Sequence, residues 1–353
     1  MEILDRTHRA IVAVSDGGFV LELDWRNLGC QLEWSPTLDQ SLAMITEKVL
    51  GAYAAIGTLP PTDQAAWYRR AAGEWGINAF EIPILAGQAL PDELVETFAD
   101  LGASLVVTMV AQWAGRGQAH PTYGLAAPGA ADRHSALLDI CSALQHCTEL
   151  EGKGIRIRNL AVHTGCKSAE TIAHAIAFHQ SLIEIQQRVA EVFEHTVLCV
   201  ELTDHRPLEH AVPFPAAKKA ALTSDEVVQT VAAVNRQISS GSPVQIEINW
   251  GRLLVNGDEP LPQLERLLGG AVPLAGVILS GAGASPDGYM DSHNSHLDPD
   301  SGFSAADGIA CARVLADSAQ TCFIGMKCSV KAPDELSVET VLEAQVELLD
   351  QMA

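Results

Sequence analysis

A chain of 353 residues with 44 acidic and 22 basic side chains carries a formal charge of −22, which opposes phosphate backbones and anionic membranes and takes nucleic acid off the expected partners. No apolar run approaches the ~18 residues a membrane span needs, and the opening MEILDRTHRA mixes charges of both signs without the apolar stretch of a secretory signal. A cytoplasmic protein acting on a small molecule is the expectation. The eight cysteines include no CxxC pair, so they read as small buried hydrophobes.

In chain order, residues 1–48 stand apart as an extension. RAIVAVSDGGFVLELDW predicts a hairpin over 11–24 turning at Asp16, Gly17 and Gly18, and a helix follows over 37–48. This segment reads as a cover on one end of the main body or as a subunit contact, the second of which would make the protein a homo-oligomer. From residue 49 onward, β-type runs occur at 49–54, 78–84, 104–110, 159–165, 197–203, 244–250, 276–281 and 322–328. Between them lie stretches of helical period at 62–75, 91–101, 132–149, 168–194, 223–239, 260–268, 304–317 and 335–351. Ser168, Thr223 and Ser337 stand where helix caps are expected. Eight strands alternating with eight helices predict an α/β chain whose residues 49–353 close into a (β/α)8, or TIM, barrel rather than an open doubly wound sheet.

Successive strand side chains point to opposite faces. The run VQIEINW places Gln245, Glu247 and Asn249 on one face and Val244, Ile246, Ile248 and Trp250 on the other. In a barrel the polar set must face the lumen, and active sites form at the C-terminal strand ends. The same parity puts Glu81 on strand two, Thr108 on three, His163 on four, Glu201 on five, Ser280 on seven and Lys327 on eight. Glu81, His163, Glu201, Asn249 and Lys327 are therefore expected around one cavity, because burying ionisable groups together is costly unless they pair or serve a ligand.

Two carboxylates and a histidine can exchange protons with a substrate or hold a divalent cation. Both readings stay open, and if a metal is present Glu201, His163 and His293 are its candidate ligands. Lys327 reads as a cation paired with Glu201 or Glu81, or as a base or Schiff-base nucleophile. Arg252 either grips a carboxylate or phosphate with its planar fork or caps a helix. Long loops are expected after strands three, five and seven, and the last, AGASPDGYMDSHNSHLDPDSG, carries Tyr289, Asp291, His293 and His296. With no Walker-type glycine run, a nucleotide phosphate site is not expected.

The succession GAYA at 51, FEIP at 80, TYGLA at 122, AVHTG at 161, VELTD at 200, INWGR at 248, SGAG at 280, DSH at 291 and GMKCS at 325 resembles the DUF4862 family of the xylose-isomerase-like TIM-barrel superfamily. The resemblance spans roughly residues 49–330. It implies a sugar isomerase or epimerase setting, in which ketose epimerases hold a divalent metal with Glu, Asp, His and Glu from successive late strands. Glu201 matches the first of these, but Asn249 stands where the Asp is expected and Lys327 where the last Glu is expected. The segments DSH and NSHL both match the family's histidine segment, so His293 and His296 compete.

The functional expectation is an isomerase, epimerase or lyase working by proton transfer. Glu201 and His163 would be acid and base, Glu81 a second carboxylate, and Thr108, Asn249, Arg252, Tyr289, Asp291 and His293 or His296 the residues that position substrate. The alternatives are a non-catalytic binding barrel with a degenerate metal site, and a metal-dependent hydrolase or oxygenase built on His163, Glu201 and His293.

Overall fold

The computed structural model describes residues 9–13, 20–24, 47–166, 171–205, 220–239, 241–286, 288–330 and 336–352. The chain divides into two units, Met1–Leu42 and Ala43–Ala353. In the first, β1 (Arg9–Ala13) and β2 (Val20–Asp24) pair antiparallel with Ala13 opposite Val20, as the alternating apolar residues predict. The Asp16–Gly18 turn and residues 37–46 of the expected helix lie outside the described residues. Glu47 and Lys48, placed at the end of that helix by sequence, instead open the first barrel strand.

In the second unit, β3 (Glu47–Leu50), β4 (Ala79–Pro83), β5 (Ser104–Thr108), β6 (Arg156–Val162), β7 (Val197–Leu202), β8 (Gln245–Asn249) and β9 (Leu274–Leu279) run in chain order. After them come β10 (Gly281–Ser285), β11 (Gly288–Asn294) and β12 (Phe323–Met326). Strands β3 to β9 and β12 close into one barrel in which β12 pairs with both β3 and β9. Each strand is buried on both faces, and period-two alternation sorts its residues into two cores. Val49, Ala79, Val106, Ala161, Cys199, Ile278 and Phe323 fill the lumen. Leu50, Phe80, Leu105, Leu160, Val200, Ile246, Ile248 and Val277 pack outward into the core that includes the helices.

The lumen is filled tightly enough to dictate residue size. Gly276 lies opposite Phe323 across the β9–β12 ladder, and a Cβ at Gly276 would fall 2.4 Å from the Phe323 ring. Gly276→Ala is therefore expected to destabilise the barrel by about 1–3 kcal/mol, the usual cost of overpacking a filled core. A lowered urea midpoint measures this, and a wild-type midpoint would mean that the ring swings aside freely.

The helices follow local chemistry. Helix Ser224–Asn235 starts with a reciprocal capping box between Thr223 and Glu226, and in helix Val338–Gln351 the Ser337 hydroxyl accepts from Thr340 N–H. Ser168 lies outside the described residues. Two segments expected as loops are ordered elements. Val110–Ala119 is a helix, and the stretch after β9 folds into the β10–β11 hairpin, with Gly281 opposite Asn294. The sequence hid both, because Gly and polar residues there resemble loop composition while neighbouring contacts supply the order. Among the described residues no helix is long and apolar enough to cross a membrane, and the seven described cysteines are free thiols.

Candidate active site

The five residues brought together by strand parity meet at the C-terminal strand ends. They form a buried network rather than the rim of an open cavity: none is more than 2% exposed. Lys327 follows β12 directly, and its backbone N–H donates to Leu279 O. Its ammonium donates to Glu81 Oε1 at 2.7 Å. The Tyr53 hydroxyl donates to the same oxygen at 3.2 Å, and the Tyr53 ring centroid lies 5.8 Å from the ammonium. Burial pushes a lysine toward deprotonation. Here the charge of Glu81, aided by Tyr53 and Glu201, more than offsets that and holds Lys327 above the ordinary lysine range. Lys327 is thus a permanent cation paired with Glu81, which argues against a Schiff-base nucleophile.

Glu201 is surrounded by donors. Its Oε2 accepts from His163 Nε2 at 2.7 Å and from the Thr108 hydroxyl at 3.4 Å, and its Oε1 accepts from Asn249 Nδ2 at 2.9 Å. Burial alone would raise this carboxyl, but Lys327, His163 and Arg252 overcome it and hold Glu201 well below the usual carboxylate range. His163 moves the other way: burial lowers its pKa more than Glu201 raises it. A neutral imidazole beside an ionised carboxylate must carry its proton on the shared nitrogen. The lone pair is then on Nδ1, which is buried and has no hydrogen-bond partner among the described residues.

The stretch Asn249-Trp250-Gly251-Arg252 shows why each residue type stands where it does. Asn249 Oδ1 accepts from Arg252 N–H at 3.4 Å, capping helix Trp250–Asn256, and from the Ser280 hydroxyl at 3.2 Å. Those two contacts orient the amide so that its NH2 faces Glu201. Trp250 packs edge-on against Phe303. A Cβ at Gly251 would fall 2.9 Å from Ser280 Oγ, so the close approach to the end of β9 favours glycine there. Arg252, 2% exposed, bridges Asp204, at 3.3 Å, and Asp291 on β11. Its side chain is an ionic bridge rather than a helix cap.

The two competing histidines separate. His293 lies 3.6 Å from Asp291, beside the Arg252 bridge, whereas His296, partly exposed, packs edge-on against the core ring of Phe303. Tyr289 lies against Gly302, where an added Cβ would meet its ring at 2.6 Å. The expected metal set of Glu201, His163 and His293 does not assemble. Among the described residues no three His, Cys, Asp or Glu side chains are placed to hold an ion, and the Asn249 amide presents N–H rather than oxygen to Glu201. The residues present do not fit the divalent site that the family resemblance implies.

Tyr53 was not singled out by sequence, and Glu247, placed on the lumen face by strand parity, was given no role in the site. Tyr53 belongs to the GAYA motif but sits in a short helix after β3, outside strand parity. Glu247 lies on the right face, adjacent to Glu201 across the β7–β8 ladder, with Oε2 3.4 Å from Cys199 Sγ. Burial, reinforced by Glu201 and Glu81, raises its carboxyl well above the usual range. The native state therefore binds this proton more tightly than the unfolded chain. The resulting stabilisation is full below the unfolded pKa of ~4.3 and is lost as pH rises toward the folded value, at ~1.4 kcal/mol per pH unit. Glu247→Gln removes the titration. The variant is expected to lose stability less steeply above pH ~4.3 in urea titrations, and equal slopes would show that Glu247 is ionised in the fold.

A closed parallel barrel with a buried network of ionisable side chains at its C-terminal strand ends defines the chain as a (β/α)8 barrel. It belongs to the family Domain of unknown function (DUF4862), whose model matches residues 49–343. The fold is shared with D-allulose 3-epimerase from Methylomonas sp. in complex with D-allulose, at a TM-score of 0.57 and 12% identity over 87% of this chain and 97% of that one. It is shared with 3-keto-D-glucoside 4-epimerase from E. coli, at 0.54 and 13% over 86% and 98%. The IOLI protein with a binding zinc atom is similar at 0.56 and 12% over 86% and 98%. At such identities the likeness is one of fold. No curated protein matches the chain at a significant level.

Proposed function

We propose that the protein is a sugar isomerase or epimerase that moves a proton at a carbon next to a carbonyl group in a small polyhydroxylated molecule. The observation that carries this reading is the state of His163: a neutral imidazole, its Nε2–H held by Glu201 and its Nδ1 lone pair buried without a partner. Such a ring is poised to accept a proton, and the ionised Glu201 stabilises the imidazolium that results. Glu81 Oε2 is a second buried acceptor without a partner, suited to a substrate hydroxyl. Proton return from His163 to the adjacent carbon gives isomerisation, and epimerisation requires delivery to the opposite face by Glu81 after its carboxyl, which burial raises, has taken up a proton from solvent. That a 3-keto-D-glucoside 4-epimerase and a D-allulose 3-epimerase share the fold supports the substrate class.

The test is solvent exchange. A panel of ketoses and keto-glycosides is incubated with the protein in deuterated water, and proton NMR follows loss of signal at the carbon next to the carbonyl. Exchange is expected for at least one compound, falling about 10²–10⁴-fold in His163→Gln, the range for loss of a general base. Calorimetric binding of a sugar with no exchange would replace this reading with a non-catalytic binding barrel.

A further inference from the structure

We propose that Lys327 is the resident cation of this site, standing where the family resemblance implies a divalent metal and supplying the positive charge that the developing oxyanion needs. This rests on the proton-transfer reading above and extends it to the electrophile. Three features carry it. First, the acceptors that a metal would need are taken. Both oxygens of Glu201 receive N–H or O–H donors, from Asn249 on one side and from His163 and Thr108 on the other. The Asn249 amide cannot turn its oxygen toward an ion without abandoning Ser280 and Arg252 N–H.

Second, the position matching the last expected carboxylate holds an ammonium. Lys327 Nζ is completely buried and lies 2.7 Å from Glu81, so a dication between Glu81 and Glu201 would meet a fixed like charge at short range. The backbone makes room for the pair, because a Cβ at Gly51 would fall 2.8 Å from Lys327 Cβ and 3.1 Å from Glu81 Oε2.

Third, an ammonium has three N–H donors, and the side-chain acceptor found for them among the described residues is Glu81. Spare N–H directions are what a substrate carbonyl oxygen requires. In the step, the C–H bond breaks and its proton passes to His163 Nδ1. The electron pair forms a carbon–carbon double bond, the carbonyl π pair moves onto oxygen, and Lys327 hydrogen-bonds the resulting alkoxide. Proton return from His163 reverses the electron flow.

Metal binding tests this without a substrate. Wild-type protein stripped with chelator is titrated with Mn²⁺ and with Zn²⁺ and followed by calorimetry and thermal unfolding. No stoichiometric uptake and no shift in midpoint are expected. Asn249→Asp, which supplies the missing carboxylate but keeps the ammonium, is expected to remain metal-free. Asn249→Asp combined with Lys327→Glu is expected to take up one Mn²⁺ per chain and to melt later with it. One equivalent bound by wild type and lost in Glu201→Gln would overturn the proposal. So would uptake by Asn249→Asp alone, which also decides the matter if the double variant does not fold. Exchange by wild type is expected to survive chelation, and loss on chelation with recovery on adding Mn²⁺ would likewise overturn it. Absence of exchange under every condition counts against the proton-transfer reading and against the oxyanion role, while the titrations still decide which cation the site holds.

Discussion

Glu201→Gln is expected to lower turnover by about 10²–10⁴-fold, the range for disabling an acid–base pair, while the barrel stays folded. The substitution preserves shape but replaces one acceptor oxygen with an NH2 group. Whichever way the new amide turns, that group faces a donor: Asn249 Nδ2 on one side or His163 Nε2–H on the other. The conflict is relieved when His163 shifts its proton to Nδ1, and that shift removes the lone pair that would accept a proton. The imidazolium formed during reaction also loses its counter-charge.

Stability should fall less than activity. Glu201 is held ionised in the fold, so its stabilising contribution is present above its unfolded pKa of ~4.3 and disappears as pH drops through its lower folded value. The variant forgoes that contribution at neutral pH. Lys327, however, keeps its direct partner, because the 2.7 Å contact is to Glu81. Activity per folded molecule and thermal unfolding, measured on one preparation, separate the effects. Wild-type turnover per folded molecule would remove Glu201 from the chemistry.

The second large effect is expected at the ion pair. Lys327→Met strips Glu81 of its cation in a site with no solvent exposure, leaving a buried carboxylate whose Oε2 already lacks a partner. Breaking a buried pair in this way costs about 3–5 kcal/mol. Removing both charges together, as Lys327→Met with Glu81→Met, should recover most of that loss, since well-packed apolar replacements of buried ion pairs are often neutral. Urea unfolding of the wild type, the two single variants and the double variant closes the cycle. A single Lys327 substitution that costs no more than the double would mean that the two groups do not sustain one another.

The sequence by itself determined the barrel, because strand and helix periods are local properties that repeat along the chain, and parity placed Glu81, Thr108, His163, Glu201, Asn249 and Lys327 on one shared face. It also marked the Thr223 and Ser337 caps, which depend on residues three positions apart. What parity could not reach were distances across the closed barrel. Whether Lys327 pairs with Glu81 or Glu201 depends on the stagger of β12 against β3 and β4. Tyr53 enters the same pair from a helix, where strand alternation has no meaning. His293 and His296, three positions apart in a polar run, part company only because the β10–β11 hairpin sets one beside Asp291 and the other on Phe303. The protonation of Glu247 and the proton position on His163 were likewise decided by tertiary structure, since burial and neighbouring charge set pKa values and both arise only when the strands close.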